Sequence, residues 1–482
     1  MSRSALALAG LTLLGAALRF ATLDLQSFDF DEAITVGPVL GGSFDAMLDA
    51  IPTTESTPPL FYVLAWPWTQ LFGLGEVGVR SLSAVLGTAL IPVAYGAARE
   101  LAGRRAGLIA AALVAVNPQL IFYSQEARAY SLLALLATLS FWAFLVARRE
   151  PGRRGLVLWA LASVAALLTH YFAAFVVVPE AILLVALRRP RLPAALATLA
   201  VGAVGAALVP LASRQSDGRT DWISDFSLSE RLRGAIKSSL TGEYDPTSNW
   251  QLGLIGLVVI VALAVGLRRA GTRERRAAGL ALGLGALGIA VPLLIDLTAR
   301  ELLTSKNVIF TIPLFAIGVA AGLGTRGAGR VGLAAAGLLC AACLAILAAT
   351  WSEPRLQRPD YRGIAETLGR PGPEVGLLTP YLGSQPLARY IPGAVIAGPE
   401  GASVSELEVV QPVGRADADD PVRPATPAPP PGFVLVEREE HPTFTRLRYR
   451  APEPVAVSAP AVAALSPSTP TFPPVLLIFP AG

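Results

Sequence analysis

The chain has 482 residues, 53% hydrophobic and only 15% charged, with a formal net charge of +4 and a mean hydropathy of +0.55. That composition excludes an ordinary soluble domain and a disordered chain. The pI near 9.2 does not mark a nucleic-acid binder, because the basic residues fall in short clusters between apolar stretches rather than in one patch. Apolar stretches long enough to cross a bilayer recur until Trp351, so the chain reads as an all-α polytopic membrane protein.

The first span, about 4–22, contains Arg19 and is followed by no A-x-A cleavage site, so it reads as an uncleaved anchor. Just beyond it lies SFDFDEAI, Ser27 to Ile34. Three acids, Asp29, Asp31 and Glu32, alternate there with Phe28 and Phe30. Carboxylates held among aromatics at a bilayer edge are suited to act as a base or to bind a cation. PPLFYVLAWPWTQLFG, 58–73, is short for a crossing and carries the interfacial residues Trp66 and Trp68. Counting it as a span would put every later arginine cluster outside. It is therefore expected to lie flat on the outer surface, inside one long loop over 23–78.

Further spans are expected at about 79–98, 106–122, 129–147, 155–169, 171–187, 193–213, 251–267, 277–298, 306–324 and 331–351. With the first, these make about 11 transmembrane helices, with a cytoplasmic N-terminus and all the arginine clusters inside. The outer loops then carry NPQLIFYSQEARAY (117–130), THYF with His170, a longer loop at about 214–250, and IDLTARELLTSKN ending in Lys306 and Asn307. Acids, a histidine, aromatics and a few cations thus converge on one face, and the site is expected to face outward. Glu180 stands out as an acid near the middle of the sixth span, where an ionisable group is costly. Cys340 and Cys343, one turn apart in an apolar span, read as small core residues rather than a disulfide or metal site.

After Trp351 the character changes. PDYRGIAETLG reads as a short helix, and EVGLLTP, AVIAGP, GFVLVERE and FTRLRYR read as strands. The expected organisation is a membrane module over 1–351, a small exported α/β domain over 352–450, and a disordered Pro/Ala-rich tail over 451–482. DADDPVRPATPAPPPG is expected to form a flexible loop.

The order of DEA after the first span, PPLFYVLAWPWTQLFG, VRSLSAVLGTALIPVAY and YSQEARAYSLLALLA resembles the GT-C membrane glycosyltransferases. The nearest group is the dolichyl-phosphate-mannose-protein mannosyltransferase-like family, with the aminoarabinose lipid A transferases as relatives. THYF, SKNVIFTIPLFAIGVAAGL and DYRGIAETL extend the likeness through most of the membrane module. The resemblance implies a transferase of the bacterial plasma membrane that reacts at the extracytoplasmic face. Its donor would be a polyprenyl-phosphate sugar and its acceptor a hydroxyl on protein, lipid or glycan. Such a transfer needs a base for the acceptor hydroxyl and charge stabilisation for the departing phosphate, and a single displacement inverts the anomeric centre.

By motif position, the resemblance makes Asp31 the candidate base, with Glu32 orienting it or binding a cation. Arg128 and Lys306 become donor-phosphate ligands, Glu126 a second carboxylate at the acceptor site, and Tyr123, Tyr130 and His170 the lining of the sugar pocket. The family often has His-Pro-Pro-Leu where this chain has Thr57-Pro58-Pro59-Leu60, which leaves the role of that histidine vacant or assigns it to Glu55. No cofactor is implied beyond an optional divalent cation. Each assignment has a plainer alternative. Asp31 and Glu32 would suit a helix cap, Glu126 and Arg128 an exposed pair, Lys306 a snorkelling contact with headgroups, and His170 an interfacial hydrogen bond. A transporter or flippase for a lipid-linked or anionic solute is the rival class, and a degenerate scaffold member a third.

Overall fold

The computed structural model describes residues 2–149, 152–216, 221–244, 247–298, 301–413, 423–466 and 472–480. It divides into two compact units, one formed by residues 1–23 and 38–348 and the other by residues 24–37 and 349–482. The chain therefore enters the second unit for a short stretch directly after its first helix, which sequence reading does not anticipate.

The first helix is α1 (Arg3–Phe20), and α2 (Phe30–Ile34) belongs to the second unit. The first unit continues with α3 (Phe44–Thr54), α4 (Leu60–Phe72), α5 (Glu76–Ala102), α6 (Arg104–Val116), α7 (Pro118–Ser124) and α8 (Tyr130–Arg149). Then come α9 (Arg153–Leu167), α10 (Ala174–Leu187), α11 (Arg191–Ala207), α12 (Val209–Gln215), α13 (Leu228–Thr241), α14 (Asn249–Arg268), α15 (Thr272–Thr298), α16 (Thr311–Leu323) and α17 (Gly329–Ser352).

Every expected span has a helical counterpart, and the protein is a polytopic helical membrane protein with a small C-terminal α/β unit. Among the described residues seven helices are long and apolar enough to cross a membrane, and the α6–α7 pair adds an eighth if counted as one bent span. The others that were expected to cross, α9, α10 with the 3-10 turn before it, and α16, are shorter. Because an α-helix rises about 1.5 Å per residue, hydropathy alone overstates how much of these segments is regular helix. The 13-residue α4 is likewise too short for a crossing and packs against α5.

The bundle core is built from α5, α6, α8, α9, α10 and α16, with small residues such as Ala94, Ala110 and Ala137 allowing close approach around Phe141, Phe144 and Trp159. Gly103, at φ 90°, ends α5 and turns the chain back as α6, a conformation open to glycine at no steric cost. A second cluster, including Met47, Ile51, Phe61 and Tyr62, seats α3 and α4 beside Leu82 and Leu132. The segment from Val39 to Trp68 is thus an ordered structure with its own core.

In the second unit, α18 (Tyr361–Leu368) and α19 (Tyr381–Tyr390) accompany a six-stranded sheet. Its strands are β1 (Val375–Thr379), β2 (Val395–Ile396), β3 (Ala402–Pro412), β4 (Val434–Glu440), β5 (Phe444–Val457) and β6 (Val475–Ile478), in the order β2-β6-β1-β3-β5-β4. Only β1 and β3 pair in parallel. The strand period of two sends Leu377, Val410 and Leu477 into the core shared with α18 and α19. It sends their neighbours Leu378, Val409 and Leu476 into the core on the opposite face.

The disordered tail expected over 451–482 is corrected here. β5 runs to Val457, and β6 from the far end pairs with both β1 and β2. Proline-rich flanks hide that strand, although the Leu476–Leu477 pair supplies buried residues to both faces. β3 also went unforeseen, its alternation being broken by a bulge between Val404 and Glu406. The loop expected over 417–432 lies in part, at 417–422, outside the described residues.

Candidate functional site

In the second unit, the acidic stretch forms α2. Asp29 is its N-cap, with Oδ1 accepting the Phe30 N–H at 2.8 Å. Glu32, three residues on, accepts the Asp29 N–H at 3.3 Å, which completes a capping box. Glu32 is also fully buried and ion-paired with the buried Arg358 at 2.7 Å. Two further ties hold the stretch. Ser27 donates to the Pro359 carbonyl at 3.1 Å and accepts from the Tyr361 N–H at 3.0 Å, while the Phe28 N–H donates to the Tyr390 hydroxyl at 2.8 Å. Glu32 is therefore committed to holding α2. Asp31, beside it in the chain, remains half-buried.

In the first unit, Glu55 is not an open ligand but the centre of a buried chain. Thr57, standing at the family's histidine position, bonds the Tyr62 hydroxyl at 2.8 Å, and that hydroxyl donates to Glu55 at 2.7 Å. The same carboxylate oxygen takes Arg128 Nη1 at 2.6 Å. A buried ion pair of this kind is stable only with such additional hydrogen bonds, and it fixes the direction of the guanidinium.

His170 is buried in the turn after α9, and its Nδ1 accepts the Phe172 N–H at 3.2 Å. Burial first, then the positive charges of Arg128 and Lys306, push its pKa down to about 3. The imidazole is therefore neutral near pH 7, and both cations lie close enough to act on it. Arg128 and Lys306 thus each lie within electrostatic reach of His170. Lys306 Nζ also lies over the Trp222 ring at 5.2 Å from its centroid. Tyr130 continues the group, its ring 6.0 Å from His170 and 4.7 Å from Tyr123. Glu126 is buried in the tight turn that delivers Arg128, its carbonyl accepting the Arg128 N–H at 2.8 Å.

Sequence reasoning missed Glu243. Its carboxylate gathers Gln119 at 2.9 Å and Tyr123 at 3.5 Å, both on α7, and Ser305 at 3.0 Å from a distant stretch of chain. The only available signal was an acid beside Tyr244 in an outer loop. Tyr62 and Arg358 were missed as well, Tyr62 because it sits inside an apolar run and Arg358 because its partner Glu32 lies far away in sequence. Glu180 faces the bundle interior, where one oxygen accepts from Ser140 and from Trp159 Nε1, each at 2.9 Å, and so joins α8, α9 and α10. Among the described residues no group of three or more His, Cys, Asp or Glu side chains is placed to hold a metal ion. Glu32, the acid read as an optional cation ligand, faces Arg358 instead.

A multi-spanning helical bundle with a cation, histidine and tyrosine cluster defines a class of membrane protein rather than one molecule. Residues 56–213, which include Glu55's partner Arg128 and also His170, match the family model described as dolichyl-phosphate-mannose-protein mannosyltransferase. That match bears out the resemblance to the GT-C glycosyltransferases read from the motifs. No curated protein matches the chain in sequence. Among solved structures, the chain is similar to ArnT from Cupriavidus metallidurans in the apo state, with TM-score 0.46 and 18% identity over 65% of this chain and 59% of that one. It is also similar to the Archaeoglobus fulgidus oligosaccharyltransferase in the apo form, at TM-score 0.47 and 13% identity over 76% and 58% of the two chains. Arabinofuranosyltransferase AftD from Mycobacteria is similar at TM-score 0.47 and 17% identity, over 100% of this chain and 40% of that one. The chain thus spans about three fifths of the length of the ArnT protein.

Proposed function

We propose that this protein is an integral membrane glycosyltransferase that moves mannose or a similar sugar from a polyprenyl-phosphate donor to a hydroxyl acceptor at the extracytoplasmic face, with inversion. The observation that carries the reading is the contact of His170 with Tyr130, and of Tyr130 with Tyr123, within electrostatic reach of Arg128 and Lys306. Two cations that share a buried histidine without a second positive charge on its ring suit a phosphate. The tyrosines supply faces and hydroxyls for a sugar.

In the reaction, Asp31 takes the acceptor's O–H proton and the acceptor oxygen forms a bond to the anomeric carbon. The bond from that carbon to the phosphate oxygen breaks, and the phosphate leaves with the electron pair. Arg128 and Lys306 meet the charge that develops on it. Glu32 and Arg358 act as positioning residues that hold α2, as Glu55 and Tyr62 do for Arg128. Glu126 is assigned to the acceptor side. The arginine clusters between spans support the outward orientation, since basic loops favour the cytoplasmic side of a membrane. A transporter would favour polar groups near the bilayer midplane; Glu180, the acid so placed in the sequence, accepts through one oxygen from Ser140 and Trp159 and links three helices of the bundle.

Mass spectrometry of envelope glycans tests the reading in a deletion strain complemented by the wild-type chain or by Asp31→Asn. One glycan species is expected to lose a single sugar residue and to regain it only with the wild-type chain. Restoration by Asp31→Asn would contradict the assignment.

A further inference from the structure

The C-terminal unit carries a cleft of about 630 Å³ that no role above uses. Its volume falls in the range of sites for small polar ligands, roughly 300–1,000 Å³. One wall is the segment Leu25–Ser27 that leads into α2. A second is Arg358 with the first turns of α18, and a third is the turn His441–Phe444 between β4 and β5.

The cleft is framed by hydrogen bonds rather than by loose loops. The Asp360 N–H donates to Thr443 Oγ1 at 3.2 Å, which holds the strand turn against the start of α18. Gln26 Oε1 accepts the Arg358 N–H at 3.2 Å, and the Ser27 bonds fix the remaining wall. In the turn that lines the cleft, the His441 ring lies flat on Phe444, with centroids 4.2 Å apart and planes 10° from parallel.

The lining chemistry narrows the ligand. Gln357, Asp360, Glu366, Thr367, His441 and Thr443 offer both donors and acceptors. The one arginine is already paired with Glu32, and neither lysine of the chain lines the cleft. Phosphates and acidic lipid headgroups therefore find no cation to receive them. A hydroxyl-rich neutral molecule finds mixed polar partners and the partly exposed His441 ring, which the buried Phe444 backs from behind.

We propose that this cleft binds a neutral saccharide, the acceptor of the transfer. The inference rests on the glycosyltransferase reading and adds the acceptor's chemical class to it. Arg358 connects the two sites: it lines the cleft while its Nη1 holds Glu32, the neighbour of Asp31 on α2. A saccharide seated against Arg358 lies within one ion pair of the helix that carries the proposed base.

Saturation-transfer NMR on the full-length protein in detergent tests this, with mannobiose and arabinobiose as the added ligands. Thr367→Trp places an indole in the cleft at a half-buried position, and His441→Ala removes the stacked ring. The wild-type protein is expected to bind at least one disaccharide. Thr367→Trp should weaken that binding about tenfold or more, and His441→Ala about three- to tenfold. Thermal melting checks that each variant is folded, and His441→Ala decides if Thr367→Trp is not. Absence of binding by both disaccharides, or equal binding by wild type and folded variants, overturns the proposal. Undecaprenyl phosphate titrated into the same wild-type sample separates the two readings. If it binds and the disaccharides do not, the cleft assignment alone fails; if it does not bind, the transferase reading fails.

Discussion

Glu32 and Asp31 are adjacent in sequence, yet their surroundings divide their work. Glu32 has no exposed surface and holds both the Asp29 N–H and Arg358, whereas Asp31 is half-buried. Removing one partner of a buried ion pair leaves the other charge uncompensated, at about 3–5 kcal/mol. Glu32→Gln is therefore predicted to lower the thermal midpoint in detergent clearly, and an unchanged midpoint would show the pair to be dispensable. His170 gives a second prediction at this scale. Its folded pKa of about 3 lies below the ordinary value near 6.5. Above about pH 6.5 it is neutral in both states, and its contribution is fully present. Between about 6.5 and 3 the unfolded chain takes up a proton that the folded protein refuses, so stability falls as pH falls. His170→Asn keeps a side-chain acceptor for the Phe172 N–H and removes the titration. Its melting temperature is expected to vary less with pH over that window than the wild type's. Arg128, His170 and Lys306 stood out in sequence because polar groups are conspicuous between apolar spans, and Asp31 stood out for the same reason. Glu243 and Arg358 did not, because their partners come from distant segments, and Tyr62 did not, because it sits inside an apolar run.

At the scale of elements, the break between α6 and α7 shows what hydropathy does not carry. One continuous apolar run was expected over 106–122, but the two helices meet at 58°. Asn117 is extended and caps α7 through the Leu120 N–H, and Pro118 has no N–H to offer the Val114 carbonyl. Arg19 of α1 fills the gap. It donates to the carbonyls of Val114 at 3.1 Å and Ala115 at 3.0 Å, and to Ser124 Oγ at 3.1 Å. Gly87 of α5 leaves the room, since a Cβ there would meet both Ser124 and Arg19. An arginine that interrupts the first span is thus a clamp on the helix that leads into the YSQEAR turn. Arg19→Leu leaves two buried carbonyls without donors, at about 1–3 kcal/mol each. A drop in thermal midpoint is expected together with a loss of activity. Unchanged values of both would show that water or repacking replaces the clamp. The strands of the second unit follow the same lesson: β1, β4 and β5 announce themselves by alternation, while β6 is concealed by the prolines around it.

For the whole molecule, the second unit draws on both ends of the chain. Residues 24–37 join residues 349–482, and β6 lies between β1 and β2 in the sheet. Truncation after Ser466 removes that strand and exposes Leu377 and Leu378 of β1, both fully buried. Limited proteolysis is predicted to cut the shortened chain within its C-terminal unit at protease levels that leave the full chain intact. Equal resistance would mean that the sheet does not need its terminal strand. The fold class was legible because spans and clusters of charge repeat along the sequence; the way the first and last segments share one unit was not, because no local pattern encodes it. The central claim is sugar transfer from a lipid phosphate with Asp31 as base. Its most direct test is release of polyprenyl phosphate from a polyprenyl-phosphate sugar by the purified full-length protein in detergent, with wild type and Asp31→Asn compared side by side. Donors carrying mannose and arabinose are both supplied, with an envelope extract as acceptor. The account predicts turnover of at least one donor by the wild type and a fall of about 10²–10⁴ in rate for a folded Asp31→Asn protein. A near wild-type rate for Asp31→Asn, or no turnover of either donor by the wild type, would contradict it.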